Sequence, residues 1–379
     1  MDLMRTWMIG LAAGWISASA ALGAGLPAEL ETEARAAMAR GAAWLAAQQQ
    51  AGGFWAIEDS PALTGLAMWA LQKTDPAAHQ AAINRAMVYL LTSVQEDGSI
   101  WRQPAMQRKG GGLANYNTAV CMSALHALNR SELVPVVQKA RTYLSKMQYL
   151  DPSAYRGGMG YDADQGRPYT DLSNSYMAYE AMRLTQDVED LRAAGEPKAD
   201  LDWKAAEEFL AQVQNLQSVN TNYWISESVD DEGGFAYSPG AGAAVTNADG
   251  QVTLRSYGSM TYAGLLALIY AQVDSQDVRV QSAKDWASRH WSLDENPGMG
   301  AEGLYYFFNV LTKTLAAAGD ETLTLPDGRT VAWREEVARK LIALQKPDGF
   351  WVNENNRWWE ADPNLVTAYT LLALAATLP

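Results

Sequence analysis

Cysteine is nearly absent: Cys121 is the single thiol in 379 residues, which excludes an intrachain disulfide and any metal site built from several cysteines. Histidine is scarce too, with only His79, His126 and His290. His79 and His290 fall on outer, amphipathic segments. Cys121 and His126 share a helical run but lie five residues apart, on different parts of its surface, so they would not chelate one ion. No metal site is expected. A Gly-rich phosphate loop ahead of Lys-Ser/Thr, a Gly-x-Ser-x-Gly elbow and a Cys-Gly-Glu-Gln thioester string are also missing, and no cofactor is expected. Basic residues are outnumbered, 29 Lys and Arg against 43 Asp and Glu, for a formal charge of −14. That balance argues against a nucleic-acid or anionic-membrane partner. Long period-two alternation is lacking, so no sizeable β-sheet is expected.

Hydrophobic residues make up 48% of the chain, enough for a substantial core without staples. At the N-terminus, Arg5 leads into an apolar, small-residue stretch from Trp7 to about Ala24. Ala18-Ser19-Ala20 and Ala21-Leu22-Gly23 are candidate cleavage sites. Residues 1–24 therefore read as an export signal, with a retained anchor as the alternative, and residues 25–379 as one folded domain. The expected location is periplasmic or secreted. The mature chain is expected to be a monomer with no stable membrane insertion.

One short pattern recurs: Gln49-x-x-x-Gly53-x-Trp55, Gln345-x-x-x-Gly349-x-Trp351 and the variant Gln95-x-x-Gly98-x-x-Trp101. Each copy closes one apolar helical run and precedes another. The Gln amide can tie one helix end to backbone at the start of the next. Gly permits a positive-φ turn, and Trp covers the joint. Around these turns the chain divides into six hairpins, each an amphipathic outer helix followed by a more apolar inner one. The predicted pairs are Glu29–Gln50 with Pro61–Gln72, Ala77–Gln95 with Asn115–Leu128, and Leu133–Gln148 with Asp171–Leu184. They continue with Asp202–Gln214 and Ser259–Ala271, Val278–Trp291 and Gly303–Ala317, and Val331–Gln345 and Asn364–Thr377. Thr322–Leu325 and Gln251–Leu254 are expected in small hairpin loops. Six such units close into an all-α (α/α)6 toroid. Its parallel inner helices gather their N-termini, and the partial positive charge there, at one mouth.

The Gln-Gly-Trp turns resemble the QW repeats of triterpene cyclases such as squalene–hopene cyclase, and the six-hairpin ring resembles the protein prenyltransferase β subunits. Asp171-Leu172-Ser173-Asn174-Ser175-Tyr176, Tyr257 to Leu265, Asp294 to Gly300 and Gly303-Leu304-Tyr305-Tyr306 look like exported, single-domain bacterial prenyltransferase/squalene-oxidase-repeat proteins. The resemblance covers about residues 30–379. It implies a terpenoid-cyclase-like toroid with a pocket for a prenyl or lipid-like ligand. The Asp-x-Asp-Asp acid of squalene–hopene-type cyclases has no counterpart here. The nearest string is Asp162-Ala163-Asp164-Gln165. It and Asp230-Asp231-Glu232 sit beside Gly-rich turns and read as solvated loop acids. The zinc-holding Asp, Cys and His of the prenyltransferases have no match in the last two inner helices.

Three acids near the mouth remain as candidate catalytic groups: Asp171, Glu302 and Asp362. Asp171 and Asp362 also stand where helix N-caps belong, and capping alone accounts for them. Tyr116, Asn117, Asn174, Tyr257, Thr261, Tyr305, Tyr306 and Trp359 are the candidate ligand-binding residues. The π-faces of the aromatic ones suit a carbocation or a sugar ring, and aromatics also simply fill the wide end of a toroid. Three functional readings follow: an acid-assisted cyclase or isomerase, a non-catalytic binding or scaffold protein, and a polysaccharide-active enzyme.

Overall fold

The structure is a computed structural model describing residues 25–105, 112–162, 169–246 and 250–378. The expected signal, residues 1–24, lies outside the described residues. Twelve α-helices occur among them, in six consecutive pairs. Hairpin one is α1 (Ala28–Ala47) and α2 (Pro61–Thr74). Hairpin two is α3 (Gln80–Leu91) and α4 (Ala114–His126). The third pairs α5 (Val134–Met147) with α6 (Leu172–Leu184), and the fourth α7 (Trp203–Val213) with α8 (Gly258–Tyr270). The last two are α9 (Val278–Arg289) with α10 (Leu304–Ala318), and α11 (Trp333–Leu344) with α12 (Pro363–Thr377). Two small antiparallel ribbons decorate the loops, Ala244–Thr246 with Val252–Leu254 and Leu323–Thr324 with Thr330–Val331.

The even-numbered helices form the inner wall. Each packs on its two neighbours, in the order α2, α4, α6, α8, α10, α12, and α12 returns to α2. The fold is an all-α toroid. Outer helices are set back by half a unit. Thus α3 lies on α2, α5 on α4, α9 on α8 and α1 on α12. Buried apolar faces explain the two layers: α8 is buried from Gly258 to Leu268, whereas α9 buries only Val280, Ala283, Trp286 and Ala287.

The turn glutamines hold neighbouring hairpins together, as the motif implies. Gln49 donates to Gly53 O and to Ala82 O on α3, both at 2.9 Å. Gln148 does the same to Gly157 O and Asp202 O (2.9 and 3.0 Å), and Gln214 to Gly233 O and Arg279 O (2.9 and 2.8 Å). Gln345 closes the ring by donating to Gly349 O and, across the seam, to Ala37 O on α1 (2.7 and 2.8 Å). The geometry corrects the motif's membership. Gln148 and Gln214 are full members, while Gln95 bonds only within its own turn, to Ser93 O and Trp101 O. At Gly157, φ is +94° and an added Cβ would stand 1.7 Å from Ala205 O on α7, so no other residue fits.

A second periodic device was hidden in the sequence. Thr64, Thr118, Ser175, Thr261 and Thr367 each accept, through the side-chain hydroxyl, a backbone N–H of their own hairpin turn. The donors are Trp55, Ile100, Met159, Phe235 and Trp351, at 2.8–3.2 Å. Trp55 and Trp351, fully buried, each donate Nε1–H to an outer-helix carbonyl (Leu45 and Leu341, 2.7 Å).

Candidate functional site

The six inner-helix N-termini meet at one mouth, and every one of them is capped. Asp171 caps α6, accepting from Asn174 N at 2.8 Å, and Asp362 caps α12, accepting from Asn364 N at 2.8 Å. The other four are capped from outside the helix. Asn117 accepts from Ala62 N at the start of α2 (2.8 Å), and Asp162 from Ala114 N of α4 (2.6 Å). Asn296 accepts from Ser259 N of α8 (2.8 Å), and Glu360 from Tyr305 N and Tyr306 N of α10 (3.2 and 2.7 Å). Four of these six caps are carboxyl side chains. Donors at the expected pool of positive helix-end charge are thus already engaged by side chains, four of them carboxyls, rather than left open to an anion.

Two sequence readings change with this. Asp162 is a cap and not a solvated loop acid; Ala163, Asp164 and Gln165 lie outside the described residues. Asp231 is also no solvated acid. It is 3% exposed and accepts from Ser256 N (2.9 Å) and Ser226 Oγ (2.6 Å), fastening the loop ahead of α8.

Asp171 has the most unusual environment of the three candidate acids. It is fully buried; its N–H donates to Met159 O, and its second oxygen accepts from Asn174 Nδ2 at 2.7 Å. Burial pushes its carboxyl up to about 7, against the opposing hydrogen bonds from Asn174 and Tyr237. Near neutrality it is therefore partly protonated, a usable acid. Asn174 keeps a buried Oδ1 with no hydrogen-bond partner. Glu302 is half-exposed, 3.9 Å from Arg357. Asp362 borders an open depression of about 440 Å³ with Ile57, Asn356, Trp359 and Asn364.

A column of tyrosines runs inward from Asp171. Tyr237 hydrogen-bonds the carboxyl, and Tyr161 and Tyr257 are close enough to feel its charge. Ser173, two residues on, hydrogen-bonds the Tyr306 hydroxyl at 2.9 Å. The Tyr306 ring lies edge-on to Tyr369 (6.0 Å between centroids) and tilted against Tyr176 (6.4 Å). Tyr116 hydrogen-bonds Tyr369, and its ring is 6.3 Å from Tyr161. Burial pushes these hydroxyls up, so they remain neutral donors.

Below the column, at mid-height of the ring, lies a chamber lined by Trp69, Ser123, Tyr176, Glu180, Asn309, Lys313 and Tyr369 together with apolar neighbours. Its cavity volume is only about 10 Å³. That is room for roughly one water molecule. The aromatic pocket expected from sequence exists as a lined axis, but in this conformation its rings fill it.

The candidate binding residues therefore divide. Tyr116, Tyr257 and Tyr306 belong to the tyrosine column, and Asn174 to its acid. Asn117 is a cap, also donating to Gly112 O and Leu113 O, and Thr261 is a turn clamp. Tyr305 packs edge-on against Phe308. Trp359, 42% exposed, walls the outer depression. Sequence reasoning missed Tyr161, Tyr237 and Glu360, which stand in loops, and Glu180 and Lys313. The last two had a signal: each is a lone charge within the middle turns of an apolar inner helix.

No family model and no curated protein matches the chain by sequence. Among solved structures it is similar to the type II terpene cyclase MstE from Scytonema. The apo form gives a TM-score of 0.53 at 14% identity, over 91% of this chain and 98% of that one. A variant form in complex with its substrate, geranylgeranyl dihydroxybenzoate, gives 0.52 at 13% identity, over 92% and 98% of the two chains. Another, with the product merosterolic acid A, gives 0.51 at 13% identity, over 93% and 99%. At such identities the likeness concerns architecture alone: the chain has a terpenoid-cyclase-like fold.

Proposed function

We propose that this chain is an exported, terpenoid-cyclase-like protein that takes a prenyl-type ligand into the tyrosine column and protonates it from Asp171. One observation carries the reading: a fully buried carboxyl, raised to about 7, stands at the head of a column of neutral aromatic rings. A protonated acid in an apolar site can transfer its proton to an alkene carbon, leaving a tertiary cation on the neighbouring carbon. Tyrosine faces stabilise such a cation. Attack by the next alkene closes a ring, an adjacent carbon loses a proton to solvent and Asp171 regains one from solvent, so charge balances and the net reaction is an isomerisation. The terpene cyclase MstE, which shares the fold, holds a geranylgeranyl-bearing substrate.

The test uses the full chain, Asp171→Asn and geranylgeranyl dihydroxybenzoate. Asn retains the cap to α6 but has no proton to give. Binding by both forms with cyclised product from wild type alone is expected; product formation by the Asn variant would remove the acid assignment. A second reading, a binding protein on the same scaffold, is favoured by the closed axis, with room for roughly one water. Binding by both forms without product from either would select it.

A further inference from the structure

Two opposite charges face each other inside an otherwise apolar wall. Glu180 on α6 and Lys313 on α10 meet at 3.0 Å, and Tyr270 donates to the other Glu180 oxygen at 3.3 Å. The ammonium also stands 5.0 Å from the centroid of the Trp69 ring. The pair closes on itself, so the chamber it lines carries no net charge. Two polar groups in the same lining are left without partners. They are the indole N–H of Trp69, 8% exposed, and the amide oxygen of Asn309, 1% exposed. One unpartnered donor and one unpartnered acceptor thus belong to side chains lining a chamber, a slot with room for roughly one water. Leaving both unmade is costly, because each has given up its hydrogen bond to solvent.

A single group satisfies both: a hydroxyl, which accepts from the indole and donates to the amide oxygen. It is neutral, as the self-paired ions require, and it is the size of the water it replaces. Tyr176 and Tyr369 wall both this chamber and the tyrosine column. An apolar chain that parted the packed rings and lay along the column would therefore reach the slot with its end. We propose that the chamber recognises the terminal hydroxyl of a prenyl-type alcohol, a specificity site that rests on the ligand column proposed above. A diphosphate end is disfavoured by the same structure, since Lys313 is already paired and every inner-helix N-terminus is capped.

Equilibrium binding of geranylgeraniol and of the C20 hydrocarbon lacking its hydroxyl, to the full chain, tests this. Wild type should prefer the alcohol by roughly tenfold, the size of two buried hydrogen bonds net of solvent. Trp69→Phe keeps the ring and removes the N–H; Asn309→Leu removes the oxygen at similar volume. Each should reduce the preference to about threefold while leaving hydrocarbon binding within about twofold of wild type. Equal binding of alcohol and hydrocarbon by wild type would overturn the hydroxyl site and leave the column intact. Undiminished preference in both variants would do the same. Binding of neither compound would refute the column itself, and the slot with it.

Discussion

Asp171 is a helix brace and also the carboxyl proposed as the acid. As an N-cap it needs only an acceptor oxygen, which Asn supplies as well. As a carboxylate it is disfavoured, because burial raises its carboxyl from 3.8 to about 7. The folded state thus holds a proton that the unfolded chain has released in the window between those values. The stability this contributes is complete below about pH 4 and is lost as pH rises through about 7. Asp171→Asn should remove that slope: relative to wild type, its melting temperature should climb between pH 4 and pH 7.5. A constant difference across that range would mean that the carboxyl is not raised. Capping was legible in sequence, since Asp before Leu-Ser-Asn is a helix-start pattern. Burial was not, because it depends on Tyr237, 66 positions downstream in the numbering, closing over the acid.

At the level of helices and turns, the sequence spoke clearly wherever a local period was at work. All twelve helices fall within a few residues of the predicted spans, because each is written as an uninterrupted apolar repeat between Gly- or Pro-marked turns. The caps supplied from outside the helix were invisible, since Asn117, within α4, and Asp162, Asn296 and Glu360, in loops, serve helices earlier in the chain. The missing sixth hydroxyl clamp is equally instructive. Hairpin five lacks it, and its turn glycine, Gly298, lies instead against Ser256 and Tyr257 of the preceding loop. Gly41 gives the sharpest element-scale test. Within α1, Ala is the better helix former by about 1 kcal/mol. Yet a Cβ at Gly41 would stand 2.5 Å from the Trp351 ring, which is fully buried and pinned by its bond to Leu341 O. Gly41→Ala should therefore destabilise the chain by about 1–3 kcal/mol in denaturant unfolding. A gain in stability would show that α1 and the Trp351 ring sit further apart.

The whole molecule is a ring, and a ring has a seam. Here it joins the last hairpin to the first through Gln345 to Ala37 O, the Trp44–Phe350 stack at 4.9 Å, and α12 against α1 and α2. Closure follows from having six units rather than from any one residue. Gln345→Leu, which removes its donations to Ala37 O and Gly349 O and the hydrogen bond it accepts from Arg40, should raise hydrogen exchange in α1 and α11 well before the α5–α8 wall responds. Uniform exchange around the ring would contradict a local seam. The enclosed axis was the least legible part of the sequence. Its aromatics could be counted, but whether they line an opening or fill it depends on how six inner helices approach one another. The proposed acid at its head would join architecture to chemistry. The pH dependence of wild-type turnover with geranylgeranyl dihydroxybenzoate examines that link most directly. Product formation should fall as pH rises through about 7, where Asp171 loses its proton, and should be absent in Asp171→Asn at every pH. Turnover that is flat across this range, or that persists in the variant, would contradict the assignment of Asp171 as the acid.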